Sequence, residues 1–284
     1  MVERVRAAHG AGLDSLFVGD HHSTAPGSYY QNVVIMGRLL AEWDGPVVGA
    51  LWLLPLWHPV VVAEHIGTLA ALTPGRFVMQ TAVGAGAAQF APLGVDLGDR
   101  AGRFEAGLDI VRRLLAGESV TTGSEAPWRI EGARVAPRPA EAVEVWIGGT
   151  ADRAVDRAAR LGDGFLAAPE LVPVEALDVA ERYRARCAAH GRTPGPTAIR
   201  RDVHVGADDS DAARVVDPVL AAGYRGFRPD ALVSGSPARV ADELGKLAAM
   251  GYTDVIVRQL APDQGDALAS IERLAEVRRL VAGA

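Results

Sequence analysis

Cysteine, lysine and long apolar runs are what this 284-residue chain has least of. Cys187 is the single cysteine, so no disulfide can form within the chain, and a lone thiol fits a reducing cytoplasm. Lys246 is the single lysine, which leaves 28 of the 29 basic residues as arginine and points to a GC-rich genome. Basic residues form no block, and the net charge is −6, so neither nucleic acid nor an anionic membrane is indicated as a partner. The apolar run at 47–56 is too short to span a bilayer and contains Pro55. Residues 1–9 carry Glu3, Arg4 and Arg6 and no apolar core of a signal peptide. No G-x-G-x-x-G follows the first strand, which argues against an open dinucleotide-binding sheet, and no G-x-S-x-G elbow occurs to carry a serine hydrolase.

Short β-rich runs alternate with longer amphipathic stretches. The pattern predicts strands at 14–18, 47–54, 77–83, 143–147, 164–168, 199–205 and 254–258. The run at 47–54 is almost continuously apolar, as a strand buried on both faces is. Helices are predicted at 2–11, 32–43, 59–72, 100–116, 152–161, 174–190, 210–222, 237–250 and 267–281, and Pro74 belongs to the turn that stops the third. In the fourth, Phe104, Leu108, Val111, Leu114 and Leu115 share one face. Residues 117–141 read as a polar, proline-rich insertion. Strand followed by helix, seven times over, predicts a parallel α/β fold, closed as a (β/α)8 TIM-barrel type, in one domain spanning 1–284. The chain begins on a helix, so the first strand of such a barrel is missing from it.

In this architecture chemistry collects at the C-terminal ends of the strands. Asp20, His21 and His22 follow the first strand, and a carboxylate beside an imidazole can tune a proton donor or acceptor near neutral pH. Three adjacent residues rarely converge on one ion, and no aspartate cluster lies upstream, so no metal is expected. Trp52, Trp57 and His58 lie at or beyond the second strand, where an aromatic either packs the rim or walls a ring-binding pocket. His58-Pro59 otherwise reads as a helix start, and His65 as a packed helical histidine. Gly84, Ala85, Gly86 and Gln89 follow the third strand. Gly148-Gly149-Thr150 opens directly into a helix. Its free N–H groups and positive dipole end make a cradle for an anion, best a phosphate, unless it is simply a tight turn.

The stretches GLDSLFVGDHH, LLPLWHPVVVAEHIGTLAALTPGRF, AVGAGAAQFAPLGVDLGDR, RFEAGLDIVRRLLAGESV, VWIGGTADRAVDRAARLGDGF and GSPARVADELGKLAAMGYTDVIVR together resemble the luciferase-like monooxygenase superfamily, and especially its coenzyme F420-dependent branch. The resemblance implies a barrel with a flavin or deazaflavin ring over the strand ends. It implies His21 as the acid/base residue and Asp20 as a cofactor contact, with Asp20 holding the His21 imidazole. Trp52 and Leu54 fall in the 51–54 segment, where the family carries a bulge, often with a non-proline cis peptide, behind the ring. Ala85 and Gly86 fall beside the ring, and Gly148, Gly149 and Ala151 on the loop that grips the phosphate. The implied reaction is hydride transfer between F420 and a small organic substrate, with a homodimer as the implied assembly. FMN with oxygen is the alternative, and a non-catalytic flavin-binding protein the alternative of another class. The arginine-rich composition, as of bacteria that make deazaflavins, adds weight to F420. In the sugar-phosphate dehydrogenases of the family a glutamate stands where this chain has Ala87, so oxidation of glucose 6-phosphate is not expected.

Overall fold

The computed structural model describes residues 1–73 and 75–283; Pro74 lies outside them. In chain order the elements are α1 (Val2–Gly10), β1 (Ser15–Val18), α2 (Asn32–Leu39), β2 (Val47–Trp52), α3 (Pro59–Leu72), β3 (Arg76–Ala82), α4 (Ala87–Phe90), α5 (Arg100–Leu115), β4 (Glu144–Gly148), α6 (Asp152–Leu161), β5 (Gly164–Ala167), α7 (Pro173–Ala189), β6 (Thr197–Val205), α8 (Asp209–Ala221), β7 (Val233–Gly235), α9 (Pro237–Ala249), β8 (Asp254–Gln259) and α10 (Gln264–Ala282). The chain forms two compact units, Leu16–Trp146 and Met1–Ser15 with Ile147–Ala284. No helix among the described residues is long and apolar enough to cross a membrane.

Within Leu16–Trp146, β2 and β3 pair in parallel from Val47 opposite Arg76 to Trp52 opposite Thr81. Val48, Ala50, Val78 and Met79 have no exposed surface, so both faces of this pair are covered and the run reads as continuously apolar. On α3, Val62, Ile66 and Leu69 recur at helical spacing and are buried. The strand predicted to reach Leu54 stops at Trp52. Side chains take over the ladder there: Thr81 Oγ1 donates to the Trp52 carbonyl at 2.9 Å, and the Leu53 N–H donates to the Asp20 carboxylate at 2.8 Å. Leu54–Leu56 then turns as a 3-10 helix.

The 117–141 insertion is polar on average but carries its own anchors. Val120, Trp128, Ile130 and Val135 are buried, and Val120 bridges Ala133 antiparallel. Gly67 on α3 admits its backbone: a Cβ there would lie 2.1 Å from the Pro137 carbonyl oxygen.

Within the second unit, β6 pairs in parallel with β5 at its N-terminal end, with β8 from Ala198 to Val203 and with β7 at its C-terminal end. Val203, Val205, Val233, Val240, Leu274 and Val277 form the core on one face of β6. β7 is a strand the sequence pattern did not predict, which makes eight among the described residues. It has three residues, too few to show a period of two.

Candidate functional site

β1 ends at Val18, and the chain leaves it through Gly19 to Asp20, His21 and His22. Asp20 is buried, with 1% of its surface exposed. Its Oδ2 accepts the Leu53 N–H at 2.8 Å and the Trp57 indole N–H at 2.8 Å, and its Oδ1 lies 3.2 Å from His22 Nε2. The two donors on Oδ2 offset the burial of the carboxylate, while Oδ1 faces His22 Nε2 at ion-pair distance without a hydrogen bond. Asp20 therefore ties the end of β1 to the end of β2 and the turn beyond it. Here the structure corrects the expected Asp20–His21 pair. Asp20 Oδ1 faces His22 Nε2 while His21 turns to Gln89, so the imidazole beside Asp20 belongs to His22.

His21 has a different partner. Its Nδ1 lies 3.3 Å from Gln89 Oε1, and its ring meets Tyr29 edge-on at 4.7 Å. Gln89 is oriented from both ends. Its Oε1 also accepts the His22 N–H at 3.2 Å, and its Nε2 donates to the Ala85 carbonyl at 3.5 Å. A carbonyl oxygen can only accept, so it selects the tautomer with the proton on Nδ1 of neutral His21 and leaves the Nε2 lone pair available.

The loop holding Gln89 is made of small residues. Gly84 and Gly86 adopt φ of +76° and +84°, a region that favours glycine. Residues 85–88 are exposed, and a Cβ on Gly86 would find nothing within 4 Å. A low open shelf therefore borders the segment that positions His21. Trp52 and Leu54, expected against a bound ring, are fully buried, with Trp52 near Phe77 at 6.4 Å between ring centroids. The cis peptides among the described residues precede Pro26 and Pro137, so the non-proline cis peptide anticipated within 51–54 is not there. Asn32 Nδ2 instead fixes the Leu51 carbonyl at 2.6 Å.

Gly148, Gly149 and Ala151 lie in the other unit, at the step from β4 to α6. Gly149 has φ +146°, and a Cβ there would lie 2.5 Å from the Ala154 Cβ, so close packing of the turn on α6 already requires this glycine. Ala151 is the N-cap of α6, extended and without a side-chain cap, so the helix opens on backbone N–H groups that its side chain leaves unserved. Asp152, in the first turn, is paired with Arg182 at 2.7 Å, and the same Arg182 nitrogen donates to the Thr150 carbonyl at 3.1 Å.

The structure thus brings Asp20, His21, Trp52, Leu54, Ala85 and Gly86 into one unit and puts Gly148, Gly149 and Ala151 in the other. Sequence reasoning missed the roles of Gln89, His22 and Trp57. Gln89 was visible as a strand-end residue, but its partners lie 67 and 68 positions away and no local pattern marks them.

Asp20 yields a direct prediction. Asp20→Ala leaves the buried Leu53 N–H and the half-buried Trp57 indole N–H without an acceptor and is expected to cost about 3 kcal/mol in urea denaturation, at ~1–3 kcal/mol per orphaned group. Asp20→Asn keeps an acceptor oxygen and should recover most of the loss. An alanine variant as stable as the parent would refute the anchoring role.

A family model described as luciferase-like monooxygenase matches residues 1–283. Two relatives are F420-dependent glucose-6-phosphate dehydrogenases. That of Nakamurella multipartita is 30% identical over 172 residues, 56% of this chain and 49% of that protein. That of Beutenbergia cavernae is 27% identical over 306 residues, 95% of this chain and 89% of that protein. The matched region thus spans about half the length of the first and most of the second. Among solved structures, the oxygenating constituent of 3,6-diketocamphane monooxygenase from Pseudomonas putida, in complex with FMN, superposes with a TM-score of 0.83 at 18% identity, covering 99% of this chain and 92% of that one. The likeness shows the fold class, α/β of the TIM-barrel type.

Proposed function

The chain belongs to the luciferase-like monooxygenase family, and from that premise we propose that it is an oxidoreductase moving a hydride between coenzyme F420 and a small organic substrate. The observation that carries this reading is His21, held by Gln89 with its Nε2 lone pair available, on a segment bordered by the open shelf of residues 85–88. Such a shelf, with nothing within 4 Å of where a Gly86 Cβ would sit, suits a flat ring. Within the other unit, the opening of α6, with small residues at Gly148, Gly149 and Ala151, by itself suits a phosphate.

The deazaflavin, when bound, accepts or supplies the hydride. The protein's part is a proton and a geometry. His21 Nε2 takes the proton of a substrate hydroxyl in the oxidising direction and returns it in the reducing one. Gln89 keeps the imidazole in that tautomer. Asp20, Trp52 and Leu54 act as buried supports that fix the strand ends beneath the reacting groups. The F420-dependent relatives that the chain matches support the deazaflavin.

FMN with oxygen is the second reading, supported by the fold shared with an FMN-binding monooxygenase. Both cofactors present a tricyclic ring and a ribityl phosphate, so the same loops serve either. Titration of the purified apo-protein with F420 and, separately, with FMN decides between them. Quenching that saturates with F420 alone is the expected result. Saturation with FMN alone would replace the proposal with oxygen-dependent chemistry. Tight F420 binding without turnover of any alcohol, aldehyde or enone would mark a non-catalytic carrier.

A further inference from the structure

The second unit contains a concentration of arginine that the proposed hydride transfer does not use. Arg200 and Asp202 lie on one face of β6, opposite to Val203 and Val205, which face the core against α9 and α10. Asp202 has no exposed surface. Its Oδ1 accepts from Arg200 Nε at 3.0 Å, and its Oδ2 accepts from the Tyr224 hydroxyl at 2.7 Å and from Arg225 Nη1 at 3.5 Å. In the β6–β8 register Asp202 stands opposite Arg258, which is exposed. Two guanidinium groups thus share one carboxylate, and that of Arg258 is near enough to act electrostatically on Arg200, so positive charge exceeds negative here.

A single arginine would satisfy Asp202, so the excess needs its own account. Arg200 Nη2 is shielded from water and has no acceptor. Burial draws the Arg200 guanidinium down, Asp202 opposes this, and Arg225 and Arg258 draw it down further. Arg225 is one of two non-glycine residues among those described with positive φ, at +50°. Its guanidinium sits 5.0 Å from the Phe227 ring centroid. A left-handed arginine carries backbone strain, which persists where the surroundings over-determine it and is concentrated at ligand-holding positions. Burial and the hydrogen bond to Asp202 raise the Tyr224 hydroxyl, which keeps it protonated as a donor. Each of these features is what a site for a second anion requires: fixed donors, surplus positive charge and a low local dielectric.

We propose that Arg200, Arg225 and Arg258, organised by Asp202 and Tyr224, form a binding site for a carboxylate or phosphate group of a small molecule. The site stands on these residues alone and holds whether the cofactor is F420 or FMN. Guanidinium forks match both anions, and Arg258 at the exposed side is free to close on the incoming group.

The test is calorimetric titration of the full chain with inorganic phosphate at low ionic strength. Saturable binding is expected, weakened about tenfold or more in Arg258→Gln and in Arg225→Gln, the loss expected for one charge-assisted hydrogen bond. Arg258 is exposed, so its variant keeps the fold even if Arg225→Gln does not. Phosphate bound at the opening of α6 would appear as a separate, Arg258-independent step that Ala151→Asp removes, so the Arg258-dependent step is read apart from it. Absence of saturable binding overturns the proposal, as does equal affinity in the parent and Arg258→Gln, or loss confined to Ala151→Asp. Repeating the titration with F420 present identifies the source of the anion. Phosphate binding that remains Arg258-dependent assigns the site to the substrate; displacement from the Arg258-dependent site assigns it to the cofactor's own phosphate.

Discussion

His21→Ala is expected to lower turnover by about 10²–10⁴-fold, the range for losing a positioned general acid/base, while F420 affinity stays within a few-fold of the parent. The asymmetry follows from the contacts. The His21 ring meets Gln89 and Tyr29 at a half-buried position, whereas Asp20 is buried and accepts two hydrogen bonds that link the segments after β1 and β2. Removing the ring therefore takes away the Nε2 lone pair and little of the scaffold. The measurement pairs a fluorescence titration of F420 with turnover of the best substrate found in a panel of alcohols, aldehydes and enones. Unchanged turnover would remove His21 from the proton path. Loss of affinity in step with loss of turnover would make it a structural residue. Asp20→Ala should show the contrasting pattern, in which stability falls first and activity follows.

The legible parts of the fold were those whose signal lies within one segment. β2 was readable because both faces of its pair with β3 are covered, which makes its sequence almost wholly apolar. α5 was readable because Phe104, Leu108, Val111 and Leu114 recur at helical spacing and are buried. What was not legible depends on distant partners. The end of β2 moved from Leu54 to Trp52 because Asp20, more than 30 positions away, captures the Leu53 N–H. Adjacency in sequence points to His21 as the imidazole on Asp20, but His21 is drawn to Gln89, 68 positions away, and His22 faces Asp20 instead. The cluster around Asp202 drew no notice in the sequence. Arg200, Tyr224, Arg225 and Arg258 are spread over 59 positions and meet through strand pairing and a turn. The glycines of 148–149 were read as an anion cradle, yet the structure gives Gly149 a packing reason of its own in Ala154. A glycine at a helix start is therefore weaker evidence for phosphate than it looks, and the assignment has to be tested at a neighbour.

That neighbour is Ala151, where stability and binding are expected to separate. Ala151 has N-cap geometry, φ −66° and ψ 148°, but no side chain able to cap. Aspartate is among the best N-cap residues, so Ala151→Asp should stabilise α6 by about 1 kcal/mol, with a further few tenths from the helix dipole. The same carboxylate takes the N–H groups that a phosphate would use and places a like charge beside it. Losing one or two charge-assisted hydrogen bonds at ~1.5–3 kcal/mol each predicts F420 affinity weaker on the order of 100-fold, with the repulsive part relieved by salt. Thermal unfolding should therefore show a melting temperature equal to or above the parent's, while fluorescence titration shows the affinity collapse. Gly149→Asp would not separate these effects, because any Cβ there meets Ala154 and disturbs the fold as well. Ala151→Ser is the matched control, since it caps without charge and should retain affinity. If Ala151→Asp binds F420 as tightly as the parent, the phosphate does not lie at the start of α6, and Gly148, Gly149 and Ala151 lose their assigned role while His21 keeps its own.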